Sequence, residues 1–265
     1  MNYTFGLIGA GNMGGAIARA ASKSVQDGVL VDRDRNRAEA LAADLGFTSV
    51  SQEEAAKECR YLFLGVKPHL AAGVVAELVP VLRQRAEPPV LVSMAAGVTT
   101  AQLTAWAGDI PVIRIMPNTP VAVGQGVILY SKNPFVTGEQ EAGFLTVMKE
   151  AGALCPIDES LIDAGTAVSG CGPAFVYLML DAMADGGVAC GLPRADAVKF
   201  AAQTMMGAAQ MVLETGKHPA QLKNEVCSPG GSTIQGVRVL EQRAVPGTMM
   251  DAVIVSYEKS AALGK

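Results

Sequence analysis

The chain has 265 residues, half of them hydrophobic and 17% charged, with a formal net charge of −4 and a pI near 5.3. That length fits one large domain or two modest ones, since single cores stop growing at about 250–300 residues. The acidic balance and the lack of any basic block exclude a partner held by its phosphate backbone, so no nucleic acid is expected.

In chain order, Phe5–Ile8 is an apolar run suited to a buried strand, and Ala16, Ile17, Ala18 and Ala20 continue as a helix of small residues. Between them Gly9, Gly11 and Gly14 stand at the G-x-G-x-x-G spacing. Gly9 permits the tight turn, Gly11 lets a pyrophosphate approach the backbone, and Gly14 lets helix and strand pack closely. The N–H groups at the helix start then face the phosphates. A second strand, Gly28–Asp32, completes a βαβ unit and points to dinucleotide binding. Asp32 suits the ribose 2′-OH of NAD, whereas Arg33, Arg35 and Arg37 suit the 2′-phosphate of NADP, so NADPH and NADH both stay open.

A helix follows from Arg35 to Leu45, stopped by Gly46, then a short strand over Phe47–Val50. Tyr61–Gly65 is a buried strand that stops at Val66-Lys67-Pro68, and Pro68 opens a helix from His69 to Arg85. Val90–Ser93 is a strand ending at Met94–Gly97, with Thr99 or Thr100 capping a helix through Trp106. Val112–Met116 is another strand, broken by Pro117–Pro120, and Gly126–Tyr130 one more. Strands alternating with helices predict an α/β fold with a mostly parallel sheet covered on both faces. The turns at the carboxyl ends of those strands should converge on one crevice.

From about residue 160 the strand signal stops, and helices are expected over Ala174–Cys190 and Arg194–Glu214. The first carries only Asp181 and Asp185 as charges, so most of its surface needs covering, which favours an intimate dimer formed by this half. Its most apolar run, Ala174–Leu180, falls far short of the roughly 20 residues that span a bilayer. With no signal-peptide pattern at the start, no membrane association is expected. The five cysteines are odd in number and lack C-x-x-C spacing, which argues for reduced thiols in the cytoplasm and against disulfides or a metal site.

Val226–Thr233 is a second glycine-rich loop, ahead of a helix over Ile234–Gln242. Pro229 sets its approach, Gly230 and Gly231 tolerate positive φ, and the N–H groups of Gly231, Ser232 and Thr233 sit at a helix start. That makes an anion pocket suited to a carboxylate.

Taken together, the blocks Ile8–Gly14, Val66–Pro68, Ala95–Gly97, Arg114–Pro120, Ser169–Ala174, Ala184–Val188 with Gly191–Pro193, and Ser228–Ile234 resemble the pyrroline-5-carboxylate reductase family over nearly the whole chain. The resemblance implies a Rossmann-type doubly wound sheet (1–159) followed by an all-α dimerisation and substrate-binding domain (160–265). It further implies reduction of Δ1-pyrroline-5-carboxylate to L-proline by NADPH or NADH, the last step of proline biosynthesis. Homodimers that assemble into decamers are implied too, with substrate between one subunit's nucleotide domain and its partner's helical loop.

Residue by residue, the resemblance puts the pyrophosphate on the backbone of Ile8, Gly9, Ala10, Gly11, Asn12 and Met13, and Gln52 on the ribose side. It lines the dinucleotide path with Val66, Lys67, Pro68, Ala95, Ala96 and Gly97, and sets Asn118 near the nicotinamide. Gly231, Ser232 and Thr233 would hold the substrate, with Thr233 reaching the imine nitrogen and Glu225 approaching the ring. Cys171, Ser232, Glu225 and Gln52 depart from the residues usual in the family.

The chemistry agrees. A hydroxy-acid dehydrogenase needs an acid–base group, for which Lys67 is the candidate; His69 and His218 look like surface or capping residues. A cyclic imine is basic enough to arrive protonated, and then needs only orientation towards the hydride donor. The rivals are a hydroxy-acid dehydrogenase and a nucleotide sensor without turnover.

Overall fold

The apolar runs of the first half pair into one sheet. In a computed structural model that describes residues 2–263, β1 (Tyr3–Ile8), β2 (Gly28–Val31), β3 (Thr48–Ser49), β4 (Cys59–Leu64), β5 (Val90–Ser93) and β6 (Val112–Pro117) are parallel neighbours in the order β3-β2-β1-β4-β5-β6. β7 (Gly126–Lys132) runs antiparallel to β6, and β8 (Gly152–Pro156) pairs parallel with β7 at the edge. β8 was not expected. Its Gly-Ala-Leu-Cys-Pro sequence has no β-branched residue and no alternation, so only its neighbour specifies it.

Helices cover both faces because alternate strand residues point to opposite sides. Phe5 and Leu7 of β1, with Tyr61 and Phe63 of β4, face α1 (Asn12–Ser22), α2 (Arg35–Leu45) and α6 (Gly138–Met148). Ile8, Leu62 and Leu64 face α3 (Gln52–Glu58), α4 (Pro68–Leu82) and α5 (Thr100–Ala107). Each such fully buried aliphatic side chain contributes about 1.5–3 kcal/mol. The caps match the chemistry of their residues: Asp34 accepts from the Arg37 N–H, Gly46 ends α2 in the left-handed region, and Thr99 and Gln102 form a reciprocal capping box. Neither α3 nor α6 was expected, since both are short, polar-rich helices.

The chain divides into two compact units, one running to Gly170 and resuming at Tyr257, the other spanning Cys171–Ser256. α7 (Ile162–Ser169) closes the first stretch. Behind it lies a charge network. Arg114 of β6, only 4% exposed, pairs with Glu159 (3.1 Å) and lies 4.0 Å from Asp163. Glu159 also accepts from the Thr100 N–H (2.7 Å) and hydroxyl (2.6 Å).

The second unit holds α8 (Gly172–Ala189), α9 (Arg194–Thr215), α10 (Pro219–Glu225), α11 (Ser232–Gln242) and most of α12 (Val245–Leu263). α8 and α9 approach closely at Gly187, where a Cβ would stand 3.2 Å from Ala197. Arg194 binds both Asp181 and Asp185, which neutralises the only charges of α8. Few other side chains here are covered, and Leu178, Leu213 and Met206 are 71%, 79% and 60% exposed. By length and composition the helical run Glu159–Ala189 is apolar enough to cross a membrane, and it is longer than the apolar run Ala174–Leu180 within it. It is broken at Gly170-Cys171, between α7 and α8.

Candidate active site

The switch point of the sheet lies between β1 and β4, where the chain leaves β1 in one direction for β2 and later returns on its other side. Gly9 follows β1 with φ +101°, and Gly65 follows β4. Added Cβ atoms would meet backbone: from Gly9 at 2.7 Å to Gly65 O, from Gly65 at 2.6 Å to Gly9 O, and from Gly14 at 2.0 Å to Gly9 O. Three backbones therefore interlock through three glycines. At Gly11 a Cβ would meet no protein atom within 4 Å, so that side of the turn is open.

Gly9 N–H donates to Val31 O (2.8 Å), Ile8 O accepts from Gly65 N–H (2.8 Å), and Ala10 N–H donates to Asp32 Oδ2 (2.7 Å). Ile8, Gly9 and Ala10 thus spend these groups on the scaffold. The amides of Gly11, Asn12 and Met13 have no partner among the described residues, and no side chain caps α1. A helix start of this kind, with open space before it, fits a pyrophosphate.

Asp32 is more constrained than its place after β2 suggested. Besides Ala10, it accepts from the Asp34 N–H on Oδ1 (2.9 Å), and its side chain is 10% exposed. Arg37 lies 3.8 Å from Asp32 and 3.5 Å from Asp34, while Arg35 pairs with Glu39 at 2.7 Å. Arg33 is exposed and has no ion pair among the described residues.

The remaining turns sit at carboxyl ends of strands. Val66 lies beside Gly9, where an added Cβ would meet it at 3.2 Å. Lys67 precedes α4 and is exposed, with Pro68 at its first position. After β5, Val98 N–H closes onto Ala95 O (3.2 Å) around the exposed Ala96 and the half-buried Gly97, whose φ is +76°.

Two predicted residues have their side chains committed elsewhere. Gln52 donates to Glu77 (2.9 Å). The buried Asn118 donates to Ser169 O (2.9 Å) and accepts from the Val127 N–H (2.8 Å), tying the β6–β7 turn to the end of α7. Gly65 and Glu159 join the site and its support without having been among the residues expected there. Only the Val-Lys-Pro after Gly65 hinted at the first, and nothing local marks the second.

In the second unit, Gly231 N–H bonds to Ser228 O (3.0 Å) and Gly230 has φ +71°, so the chain reverses tightly into α11. Gly231 is the residue before the helix and no side chain caps it. The helix starts at Ser232, two residues earlier than expected, which places Ser232 and Thr233 in its first turn. Their exposed hydroxyls have no partner among the described residues. Glu225, at the end of α10, binds Lys217 (2.9 Å) and accepts from Gln221 (3.1 Å). The Lys217 hydrogen bond holds its carboxyl below the usual range. His218 caps α10 by accepting from the Ala220 N–H.

Residues 159–263 match the family model described as pyrroline-5-carboxylate reductase dimerisation, and residues 4–97 the one described as NADP oxidoreductase, coenzyme F420-dependent. The chain is 43% identical to the pyrroline-5-carboxylate reductase of Glycine max, covering 99% of this chain and 96% of that protein. It is 41% identical to that of Escherichia coli, covering all of both. Among solved structures it is similar to a Plasmodium falciparum pyrroline carboxylate reductase with NADP bound, at TM-score 0.87 and 30% identity over 100% and 99% of the chains. A pyrroline-5-carboxylate reductase from Coxiella burnetii gives 0.90 and 28% over 100% of both.

Proposed function

The chain belongs to the pyrroline-5-carboxylate reductase family, and from that premise we propose how its residues divide the reduction of Δ1-pyrroline-5-carboxylate to L-proline. It is an NAD(P)H-dependent oxidoreductase acting on a C=N bond in the last step of proline synthesis. The dinucleotide, when bound, supplies hydride from C4 of its nicotinamide.

The amides of Gly11, Asn12 and Met13 hold the pyrophosphate, with Gly14 keeping α1 close beneath it. Gly9 and Ala10 shape that turn, and Asp32 and Arg33 flank the adenosine ribose. Val66, Lys67 and Pro68, with Ala95, Ala96 and Gly97, line the path towards the nicotinamide. Gln52 and Asn118 support the site through their ties to Glu77 and Ser169.

The observation that carries the substrate assignment is the uncapped start of α11 with two unpartnered hydroxyls in its first turn. The N–H groups of Ser232 and Thr233 receive the carboxylate, as charge-assisted bonds at a helix N-terminus, while the Gly231 N–H, expected to join them, is spent on Ser228 O within the turn. Thr233 Oγ1 hydrogen-bonds the ring nitrogen and fixes which face of the imine is presented. It is the catalytic contact, by orientation and not by acidity. The imine brings its own proton, so no histidine or lysine has to move one. Glu225, kept ionised by Lys217, approaches the ring and favours the protonated imine.

The protein acts as an oligomer on a small-molecule substrate. Its unit is a homodimer formed by residues 160–265, which covers the exposed side chains of α8 and α9; dimers assemble further into decamers. The same burial accounts for the apolar run Glu159–Ala189 without a membrane. Five free cysteines favour the cytoplasm.

The test is oxidation of NADPH and of NADH by the purified protein with Δ1-pyrroline-5-carboxylate, following absorbance and proline together. Stoichiometric proline is expected. Nucleotide binding without turnover would overturn the reading, and activity on hydroxy acids alone would make Lys67 the acid–base residue of a different dehydrogenase.

A further inference from the structure

The turn between β5 and α5 is held at its two ends and not in its middle. On the β5 side, Met94 N–H donates to Leu64 O (3.2 Å) and Ala95 N–H to Ser93 Oγ (3.3 Å). The N–H groups of Ala96 and Gly97 have no partner among the described residues. On the α5 side, Thr99 and Gln102 close their capping box, which is enough to start the helix. Yet the same helix start receives a second cap from far along the chain.

Glu159, 59 residues further on, accepts the Thr100 N–H on Oε1 (2.7 Å) and the Thr100 hydroxyl on Oε2 (2.6 Å). Its Oε1 also accepts from Arg114 Nη1 of β6 (3.1 Å). Thr100 and Arg114 are buried, so these are charge-assisted bonds with little water to compete for them. Stability does not account for the arrangement. Arg114 Nε is buried with no partner among the described residues, and an ion pair so incompletely satisfied is commonly no better than apolar side chains in its place. What the carboxylate adds is location. It fixes the first residue of α5 to β6, and with it the end of the turn that carries Ala96 and Gly97.

Resting on the reductase reading above, in which Ala95, Ala96 and Gly97 line the path towards the nicotinamide, we propose that Thr100 and Glu159 are positioning residues for hydride transfer. They act through the turn and not on the reacting atoms. The clamp sets where Ala96 and Gly97 stand, and so how the wall of that path is offered to the nicotinamide. Without it the turn still forms, since Ser93 and the capping box remain, but nothing ties it to β6 through α5. The chemical step is sensitive to such a loss, because a misplacement of about 1 Å costs about 100-fold in rate. Dinucleotide affinity is spared, since the pyrophosphate belongs to the separate turn before α1.

Three variants of the full-length protein test the clamp. Thr100→Val removes the hydroxyl bond and keeps the shape of the residue, whereas Thr100→Ser keeps the hydroxyl. Glu159→Asp keeps the charge beside Arg114 but draws it back from Thr100. In proline formation, Thr100→Val and Glu159→Asp should lower kcat about tenfold, with calorimetric nucleotide Kd within about twofold of wild type, and Thr100→Ser should recover most of the rate. A second readout needs no turnover: hydrogen–deuterium exchange of the dinucleotide-free protein should quicken over residues 96–103 in the two slow variants and stay unchanged at β1 and α1. Thermal unfolding checks that each variant folds, and substitutions at two positions keep the test open if one does not. Unchanged kcat in folded Thr100→Val and Glu159→Asp would overturn the proposal. So would a rate lost equally in Thr100→Ser, or exchange that is unchanged over 96–103 or raised evenly through the domain, since the network would then serve stability alone. If the reductase reading alone were wrong, the wild type would make no proline while the local exchange still rose in the variants; if this inference alone were wrong, proline would form equally fast in all of them.

Discussion

Gly9 and Gly65 meet across the switch point with no room for a single methyl group on either, each Cβ position lying under 3 Å from the other's carbonyl oxygen. The contact sets the height of the glycine turn above the sheet and hence the aim of the α1 amides. Gly65→Ala should destabilise the protein by about 1–3 kcal/mol in urea unfolding. It should also weaken dinucleotide binding by about tenfold or more, because the amides are displaced. Unchanged Kd in a destabilised variant would show that the turn recovers its shape.

Glu159 is the main counter-charge of the buried Arg114. Glu159→Gln should cost about 3 kcal/mol, at the lower end for a buried pair because Glu159 keeps some solvent contact. The double variant Arg114→Met with Glu159→Gln should recover most of that loss, since no charge is left buried and the new amide oxygen still accepts from Thr100. Urea midpoints of the three proteins decide it.

Thr233→Val removes the hydroxyl while keeping the shape of the first turn of α11. It should lower kcat/KM for the imine by about 10–100-fold, the range of one hydrogen bond to a charged group. Nucleotide Kd should stay the same. Equal turnover and substrate affinity in the variant would end the proposed role.

Burial, opposed by the nearby Arg85 guanidinium, pushes the Cys59 thiol up from 9.0 to about 12. The folded state therefore holds this proton more tightly than the unfolded chain. The associated stability is fully present below about pH 9 and is lost as pH rises towards about 12. Native protein at about pH 8 should leave Cys59 unlabelled by a thiol reagent, with modification appearing only on unfolding.

For Glu225 the sign is opposite. Lys217 lowers its carboxyl below 4.5, so the pair stabilises above that value and fails as pH falls through the folded pKa. Lys217→Met should return Glu225 towards the ordinary value in an NMR titration. The stabilities of the two proteins should converge in acid.

The parallel strands were legible because each is a short run of apolar residues bounded by turn chemistry, and the caps at Gly46 and Thr99 because they depend on residues within a few positions. β8 and α6 were not legible, having neither a clean period nor strong propensity; β8 forms because β7 offers it an edge, and α6 because Phe63 and Tyr130 of the sheet receive its Phe144. In the site, the glycine spacing and the Ser228–Thr233 turn could be read directly, since backbone conformation there is set by glycine and proline.

By itself the sequence determined the order of elements, the two glycine-rich helix starts and the family, because periodicity, caps and motif spacing are local properties. Tertiary structure alone decided which polar groups remain free. Asp32 belongs to Ala10, Asn118 to Ser169 and Gln52 to Glu77, and none of these partners is near in sequence. A side chain's hydrogen bonds go to whatever the fold brings within 3 Å, and that is settled only when distant strands and loops pack together.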